Sequence, residues 1–463
     1  MDGQRRPKVG LLPLMLELYD RSAPDLKPRQ ARFAQQIGDL VASEIEVIST
    51  TVCNTRAQVD AAVADFEVER CDGIIVLHLS YAPSLISASA LSRSSLPVLL
   101  LNTTPAARMN ADLTRDDILQ NHGIHGVQDL ANILLRAGKT YHIVSGHVGD
   151  PSVIDRVLAW CRAATTARFW REMRVGRIGD PFEGMGDFSV DLTALQTVVG
   201  PQVLLVSPQE VAELAQHVPT EQVEAEVKAD LDRFAPVPDL DPELHALSVR
   251  AGLGLSAAVR KYELDAVSMH FMAFNDVPAI GAVPFLGISK LQAQGIGYAG
   301  EGDVMCASLV AAMARCFGEA AFTEMFCPDW AGEQVLMAHM GECNPALAAE
   351  KPVLKSAPFP YGELSDPVVA VGGMAPGPAT LVNLVCIGEG RFRLTAAEVD
   401  VAEFPVLDLT MPHFKIRPAQ PVAEFLTKYS EAGGSHHLAI VPGHVAVDVT
   451  TLAALSGLEC VLI

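Results

Sequence analysis

Gly73-Ile74-Ile75-Val76-Leu77 is a run without a polar side chain, set between two stretches, Arg56–Arg70 and Ala82–Arg93, whose apolar residues recur at helical spacing. A short run that is apolar on both faces suits a strand covered from both sides. The same unit repeats around it. Val9–Leu14, Ile45–Ser49, Val98–Leu101 and His142–Ser145 read as strands, and Lys27–Ser43, Gly126–Arg136 and Ser152–Thr166 read as helices between them. Such alternation predicts an α/β fold with a doubly wound parallel sheet. Ligands of these sheets bind beyond the carboxyl ends of the strands, which places Leu18-Tyr19, His78–Tyr81 and Asn102-Thr103 along one edge. From about residue 172 the pattern continues, with strands at Arg174–Ile178, Val203–Ser207 and Ala266–Met269 and a charged surface helix at Thr220–Phe234. Beyond about residue 345 the character changes. Ala379–Cys386, Arg391–Leu394, Val406–Leu409 and Ala439–Val441 read as short strands separated by Gly, Pro and Asp, a small β-rich, barrel-like domain.

A chain of 463 residues is long enough for two or three domains, and its hydrophobic share of 49% supplies large cores. Basic residues number 34 against 55 acidic, a net charge of −21 that repels nucleic-acid phosphates and anionic lipid. A neutral small molecule is the substrate class this balance suits. Nine cysteines lack any Cys-x-x-Cys pair and are odd in number, the pattern of reduced thiols in a cytoplasmic protein. Arg5, Arg6 and Lys8 before Val9–Leu16 imitate a secretion signal, but Pro13 interrupts the run and no small-residue cleavage site follows. A first buried strand is the expectation there.

Gly295-Ile296-Gly297-Tyr298-Ala299-Gly300 matches the Gly-x-Gly-x-x-Gly dinucleotide fingerprint. It follows what reads as the end of a helix, Ile288–Gln294, and no ribose-binding acid stands about 20 residues on, so no nucleotide cofactor is expected. The glycines are read instead as a tight loop presenting Glu301 and Asp303. Downstream, Phe322-Thr323-Glu324, Ala338-His339-Met340-Gly341-Glu342 and Gly433-Gly434-Ser435-His436-His437 bring further acids and imidazoles. Mixed carboxylate and imidazole donors suit Mn²⁺, Zn²⁺, Co²⁺ or Fe²⁺. Their spacing is long and irregular, and ordinary roles stay open: a helix-terminal acid for Glu301, a core histidine for His339, a turn for His436-His437.

These strings, in this order, resemble the L-arabinose isomerase family and its L-fucose/L-arabinose isomerase-like relatives, across nearly the whole chain. Leu286-Gly287-Ile288-Ser289-Lys290-Leu291 and Gly295–Asp303 resemble that family's helix and catalytic loop, Ala338-His339-Met340 its histidine segment, and Gly433–His437 its C-terminal pair. Asn121-His122-Gly123-Ile124-His125-Gly126 resembles a substrate-contacting segment. The resemblance implies three domains: a flavodoxin-like α/β domain at 1–171, a central α/β domain at 172–321 carrying the first catalytic glutamate, and a β-rich domain at 322–463. It implies an intramolecular oxidoreductase that interconverts aldose and ketose monosaccharides through a cis-enediol. A hydride shift is the rival chemistry. Glu301, Glu324, His339 and His437 match the metal ligands, His437 in preference to His436. The two glutamates are also the implied acid/base pair.

Tyr19, Tyr81, His125 and Met185 are implied substrate contacts, although a packing role suits each of them as well. Mn²⁺ is the implied ion, with Co²⁺ another. The implied assembly is a trimer or hexamer with sites at subunit interfaces. Around Glu324 the string Thr323–Trp330 departs from the family, and Glu17 and His122 stand where glutamine is common. L-arabinose is therefore one candidate among several sugars. An epimerase, an L-fucose isomerase-like enzyme acting on another sugar, or a non-catalytic sugar-binding protein are the alternatives.

Overall fold

The run at 73–77 forms the middle strand of a five-stranded sheet in the computed structural model, which describes residues 6–463. Arg5 lies outside the described residues. The strands are β1 (Lys8–Leu14), β2 (Glu46–Ser49), β3 (Gly73–His78), β4 (Val98–Asn102) and β5 (Tyr141–Ser145). They are all parallel, in the order β2-β1-β3-β4-β5. This is the doubly wound arrangement whose strand order reverses between β1 and β3. Every residue of β3 is buried, whereas the outer strands β2 and β5 are only partly covered. Helix Arg56–Val68 starts on a capping box in which Thr55 accepts from the Gln58 N–H and the Gln58 side chain answers at Thr55. Gly73 lets Trp160 pack directly on the sheet: a Cβ there would lie 2.6 Å from the indole. The helix expected at Ala82–Arg93 is broken into a 3-10 turn, Ser84–Ile86, and a short helix, Ala88–Arg93. Asp129 accepts from both the N–H and the hydroxyl of Ser84, each at 2.9 Å, and holds the first part out of the helical path.

Contacts divide the chain into two compact units, one ending at Arg168 and one running from Phe169 to Ile463. The second unit begins with β6 (Arg174–Ile178), β7 (Gln202–Val206), β8 (Ala235–Pro236), β9 (Ala266–Met269) and β10 (Gly297–Gly300). Four of these form a parallel sheet, β10-β9-β6-β7. The glycine-rich segment therefore differs from the expected loop. Residues 297–300 are a fully buried strand, because Gly297 allows the backbone of helix Val304–Phe317 to approach within 2.3 Å of where a Cβ would sit. That helix is apolar on all sides and buried along nearly its whole length. Such a helix needs cover all round. It packs between the parallel sheet and the strands that follow.

Those strands are β11 (Ala321–Asp329), β12 (Gln334–Ala338), β13 (Val353–Ser356), β14 (Val368–Val371) and β15 (Gly377–Cys386). The last four are β16 (Phe392–Ala402), β17 (His413–Pro418), β18 (His437–Pro442) and β19 (Glu459–Leu462). Antiparallel pairing runs β15-β18-β11-β12-β17-β16, and β16 pairs back to β15, so the ring closes into a barrel. Closure leaves no open edge among these strands. β19 lies parallel beside β16, and β14-β13-β8 make a separate small sheet. The strand expected at Val406–Leu409 is absent. Its apolar side chains are partly exposed, and the Leu407 N–H donates to His413 Nε2 at 2.8 Å, which fixes the segment as a loop between β16 and β17.

Candidate metal centre

At the end of β10 the chain turns sharply into helix Val304–Phe317. Glu301 occupies the left-handed region, φ 60°, which a residue with a Cβ takes only when its surroundings hold it there. Its N–H donates to the Met269 carbonyl and its carbonyl accepts from the Phe182 N–H, both at 2.9 Å. Gly302 follows at φ 86°, where a Cβ would stand 2.6 Å from Pro181 Cα. Asp303 completes the turn with both oxygens engaged. Oδ1 caps the helix by accepting from the Cys306 N–H, and Oδ2 lies 2.9 Å from His437 Nδ1.

Barrel register supplies the remaining groups. β11 pairs with β18 so that Glu324 lies opposite His437, and with β12 so that Glu324 lies opposite Ala338, the residue before His339. A slip of one residue would turn Glu324 to the other face. Gly300 leaves space for His339, whose Cε1 would be 2.9 Å from an added Cβ. The backbone of the histidine doublet is also fixed. Asn383 Nδ2 donates to the His437 carbonyl at 2.7 Å and to Ser435 Oγ at 2.6 Å, and the Tyr429 hydroxyl donates to the Ser435 carbonyl at 2.6 Å.

The side chains converge. His437 Nε2 is 2.9 Å from Glu324 Oε1 and 3.5 Å from Glu301 Oε2, and His339 Nε2 is 3.4 Å from Glu324 Oε1. His436 Nε2 stands 3.9 Å from each glutamate. Every one of the three imidazoles has an acid at its other nitrogen: Asp303 at 2.9 Å from His437, Glu342 at 2.9 Å from His339, Asp187 at 2.6 Å from His436. The Glu342 contact is an ion-pair distance without hydrogen-bond alignment. Phe188 lies flat on His437, ring centres 5.0 Å apart.

Burial works against ionising Glu301, yet the neighbouring His436 and His437 outweigh it and hold the carboxyl well below the usual range. Burial likewise opposes charge on His437 and His339. Asp303, Glu301 and Glu324 nevertheless push His437 well above the ordinary histidine value, and Glu342 with Glu324 pushes His339 upward. For His436 the Glu301 carboxylate, with Asp187, raises the value against burial.

A divalent cation fits this donor set. Glu301 Oε2 and His437 Nε2 are buried, face each other, and have no hydrogen-bond partner among the described residues. Acids at the Nδ1 side of imidazoles whose Nε2 atoms point inward are the outer partners that histidine ligands of metals ordinarily have. Glu301, Glu324, His436 and His437 each bring a donor atom within 4.8 Å of the others. His339 lies just outside that tightest set and touches it through Glu324.

Comparison with known proteins gives the same order of parts. The L-arabinose isomerase N-terminal, central and C-terminal domains match residues 20–172, 174–318 and 319–459 in turn. The chain belongs to the L-arabinose isomerase family. It is an enzyme of the aldose–ketose isomerase class. An L-arabinose isomerase of Nocardioides sp. is 28% identical over 90% of this chain and 84% of its own length. One of Geobacillus thermodenitrificans is 28% identical over 85% and 81%, and one of Shewanella sp. is 27% identical over 96% and 92%. Among solved structures, a periplasmic solute-binding protein of Actinobacillus succinogenes with bound D-allose is 16% identical over 67% of this chain and 92% of that one, with a TM-score of 0.16, too slight to carry an argument.

The L-arabinose isomerase resemblance also singled out Tyr19, Tyr81, His125 and Met185. The first three lie in the first unit and gather near His122. The Tyr19 hydroxyl is 3.0 Å from His122 Nε2, the His122 and His125 rings are 5.7 Å apart, and Tyr81 stands edge-on to His125 at 6.4 Å. Met185 lies in the second unit, in the loop after β6, where its N–H donates to the Phe182 carbonyl. Sequence reading did not single out Asp187 or Phe188 in that loop, and it ranked His436 below its neighbour. No local pattern marks an aspartate 249 residues from the histidine it holds. Asp303 was legible as an acid near a helix start, but its second bond was not. Asp303→Ala is expected to cost about 1 kcal/mol for the lost cap. With a divalent ion on His437, the same substitution is expected to weaken its binding about 10–100-fold. Thermal unfolding without metal and a Mn²⁺ titration separate the two losses.

Proposed function

We propose that this enzyme is a divalent-metal-dependent aldose–ketose isomerase in which Glu301, Glu324, His339 and His437 hold the ion and the two glutamates form the acid/base pair. The observation that carries this reading is the convergence of two carboxylates and the Nε2 atoms of His339 and His437, each imidazole backed by its own acid. Mixed oxygen and nitrogen donors suit Mn²⁺, with Co²⁺ a second choice. A divalent ion held there would polarise the sugar carbonyl and offset the charge of the enediolate. One glutamate then removes the proton from the carbon beside the carbonyl and, as its conjugate acid, returns it to the former carbonyl carbon, while the other passes the hydroxyl proton from the second oxygen to the first. The pair can act in opposite senses because their surroundings differ. Glu301 is held ionised by the histidine doublet, while Glu324 lies in the barrel between β12 and β18.

The substrate is a monosaccharide, and L-arabinose is one candidate beside other pentoses, deoxyhexoses and tetroses. We assign Met185, and in a homo-oligomer the cluster of Tyr19, Tyr81 and His125 supplied by a neighbouring subunit, to substrate contact. Nine cysteines without any Cys-x-x-Cys pair fit a cytoplasmic setting. The decisive experiment incubates a panel of pentoses, hexoses and deoxy sugars with enzyme and Mn²⁺ or chelator, and follows both aldose and ketose. At least one sugar is expected to convert, with conversion lost in chelator. Interconversion of aldoses without ketose would make it an epimerase, and a panel untouched in the presence of Mn²⁺ would sink the isomerase reading. For the turnover found, solvent deuterium at C1 or C2 is expected. Complete retention of the substrate hydrogen would favour the hydride shift instead.

A further inference from the structure

A cavity of about 440 Å³, its open mouth included, lies where β11 and β12 meet the loop after β12 and the segment after β14. Neither glutamate of the acid/base pair lines it, nor does the histidine doublet. Its walls are apolar at Leu347, Met374 and Phe414, the first buried and the other two partly exposed at the solvent side. Glu342, Thr323 and His339 bring polar groups to it, and all three are buried. Three of their atoms, Glu342 Oε1 and Oε2 and Thr323 Oγ1, have no hydrogen-bond partner among the described residues. A carboxylate taken out of water at this depth is costly unless a donor or a cation meets it.

Glu342 is fixed in that position by its neighbours in the chain. Gly341, at φ 95°, turns the backbone where a Cβ would stand 2.6 Å from the Phe285 ring. On the other side the Cys343 N–H donates to Ser289 Oγ at 3.1 Å and its thiol to the Ala370 carbonyl at 3.3 Å. The carboxylate therefore has no route to bulk water by a swing of the main chain. Its polar neighbours do not use up its acceptor sites. His339 Nδ1, 2.9 Å from Oε1, reaches one oxygen and lacks hydrogen-bond alignment. Tyr298 is kept in its neutral form, first by burial and then by the Glu342 carboxylate itself. No lysine or arginine stands among the described residues that line the cavity. We propose that this cavity is a second ligand site, distinct from the metal centre, and that it takes a small primary ammonium with a short apolar body. The three N–H bonds of an ammonium match the three acceptor atoms that lack partners. Its carbon atoms match the apolar walls, the division of labour usual in small-molecule pockets. The proposal does not depend on what the metal centre holds.

The test titrates n-propylammonium chloride into the full-length protein by calorimetry near pH 7, at constant ionic strength. 1-Propanol, the uncharged counterpart of similar shape, and potassium chloride are titrated in parallel. Saturable binding of the ammonium is expected, with 1-propanol about tenfold or more weaker, since a hydrogen bond to a charged group is at stake. E342Q should weaken ammonium binding by about the same factor. M374W, which fills the cavity from its partly exposed side and leaves every acid in place, should abolish it. E324Q should bind the ammonium as wild type does, which separates this cavity from the acids of the metal centre. If E342Q does not fold, M374W and E324Q decide between the two locations by themselves. Absence of saturable ammonium binding to wild type overturns the proposal. So does equal binding of 1-propanol, which would make the cavity merely apolar, or displacement of the ammonium by equimolar potassium, which would make the ligand an inorganic cation. Binding that persists in M374W and disappears in E324Q would place the ammonium among the metal-centre acids and overturn it too. A protein that takes up no Mn²⁺ yet binds the ammonium in this pattern would sink the metal-centre reading and leave the second site standing.

Discussion

Glu324→Gln is expected to lower kcat by about a thousandfold or more at saturating Mn²⁺, the scale at which a positioned general acid or base contributes. The amide keeps the length of the side chain and an oxygen that can face a cation, but it cannot take up a proton. Two effects must be separated, since the same carboxylate is assigned both to the metal and to the proton. Loss of a charged donor raises the Mn²⁺ concentration needed for half-saturation. Loss of the base lowers turnover after that concentration is exceeded. Glu301→Gln should behave alike. Its left-handed backbone is held by a bond from its N–H to the Met269 carbonyl and one from the Phe182 N–H to its carbonyl, neither involving the side chain, so the substitution leaves the turn intact. The measurement is kcat as a function of Mn²⁺ together with exchange of the substrate carbon-bound hydrogen into solvent. Undiminished turnover in either variant at saturating metal would remove that glutamate from the acid/base pair.

How far this centre could be read in advance follows from the range over which its parts interact. β1, β3 and β4 were legible because strands covered on both faces are continuous apolar runs, a local property. The strand at Gly297–Gly300 was not, since its glycines answer to the close approach of helix Val304–Phe317, which nothing in the segment itself announces. Val406–Leu409 looked like a strand for the converse reason: local apolar character was present, but the barrel closes through β16 and β17 and leaves the segment outside. Within the site, the ordered agreement of several strings with a family suggested Glu301, Glu324, His339 and His437, while the residues taken alone left ordinary explanations open. What places Glu324 against His437 is one register between β11 and β18, fixed by the whole barrel. The acids behind the imidazoles were least legible. An aspartate in a loop has many uses, and only the fold reveals that Asp187 faces a histidine ring.

Metal binding is expected to release protons and to tighten as pH rises. In the metal-free protein the raised values of His339 and His437 mean that these rings keep protons above the ordinary histidine value of 6.5. Metal ligation needs their lone pairs, so cation and proton compete for the same atoms. The sign for stability follows from the same shifts. A histidine whose folded value is raised stabilises the fold fully below its unfolded value and loses that contribution as pH climbs through the folded one. Glu301, whose folded value is depressed, contributes above the carboxylate value of 4.5 and loses its contribution as pH falls through the folded value. As far as these groups are concerned, the metal-free protein is best stabilised between about 4.5 and 6.5 and weakens at higher pH. There the ion takes over from the protons, at roughly tenfold in affinity per pH unit for each proton displaced. Mn²⁺ at about a thousand times its Kd adds roughly 4 kcal/mol to the folded state. The rise in Tm on adding a fixed Mn²⁺ concentration should therefore be larger at pH 8.5 than at pH 6. Calorimetric titration in two buffers of different ionisation enthalpy counts the protons released. A Mn²⁺ affinity independent of pH across that range, with no protons released, would show that these imidazoles do not ligate the ion.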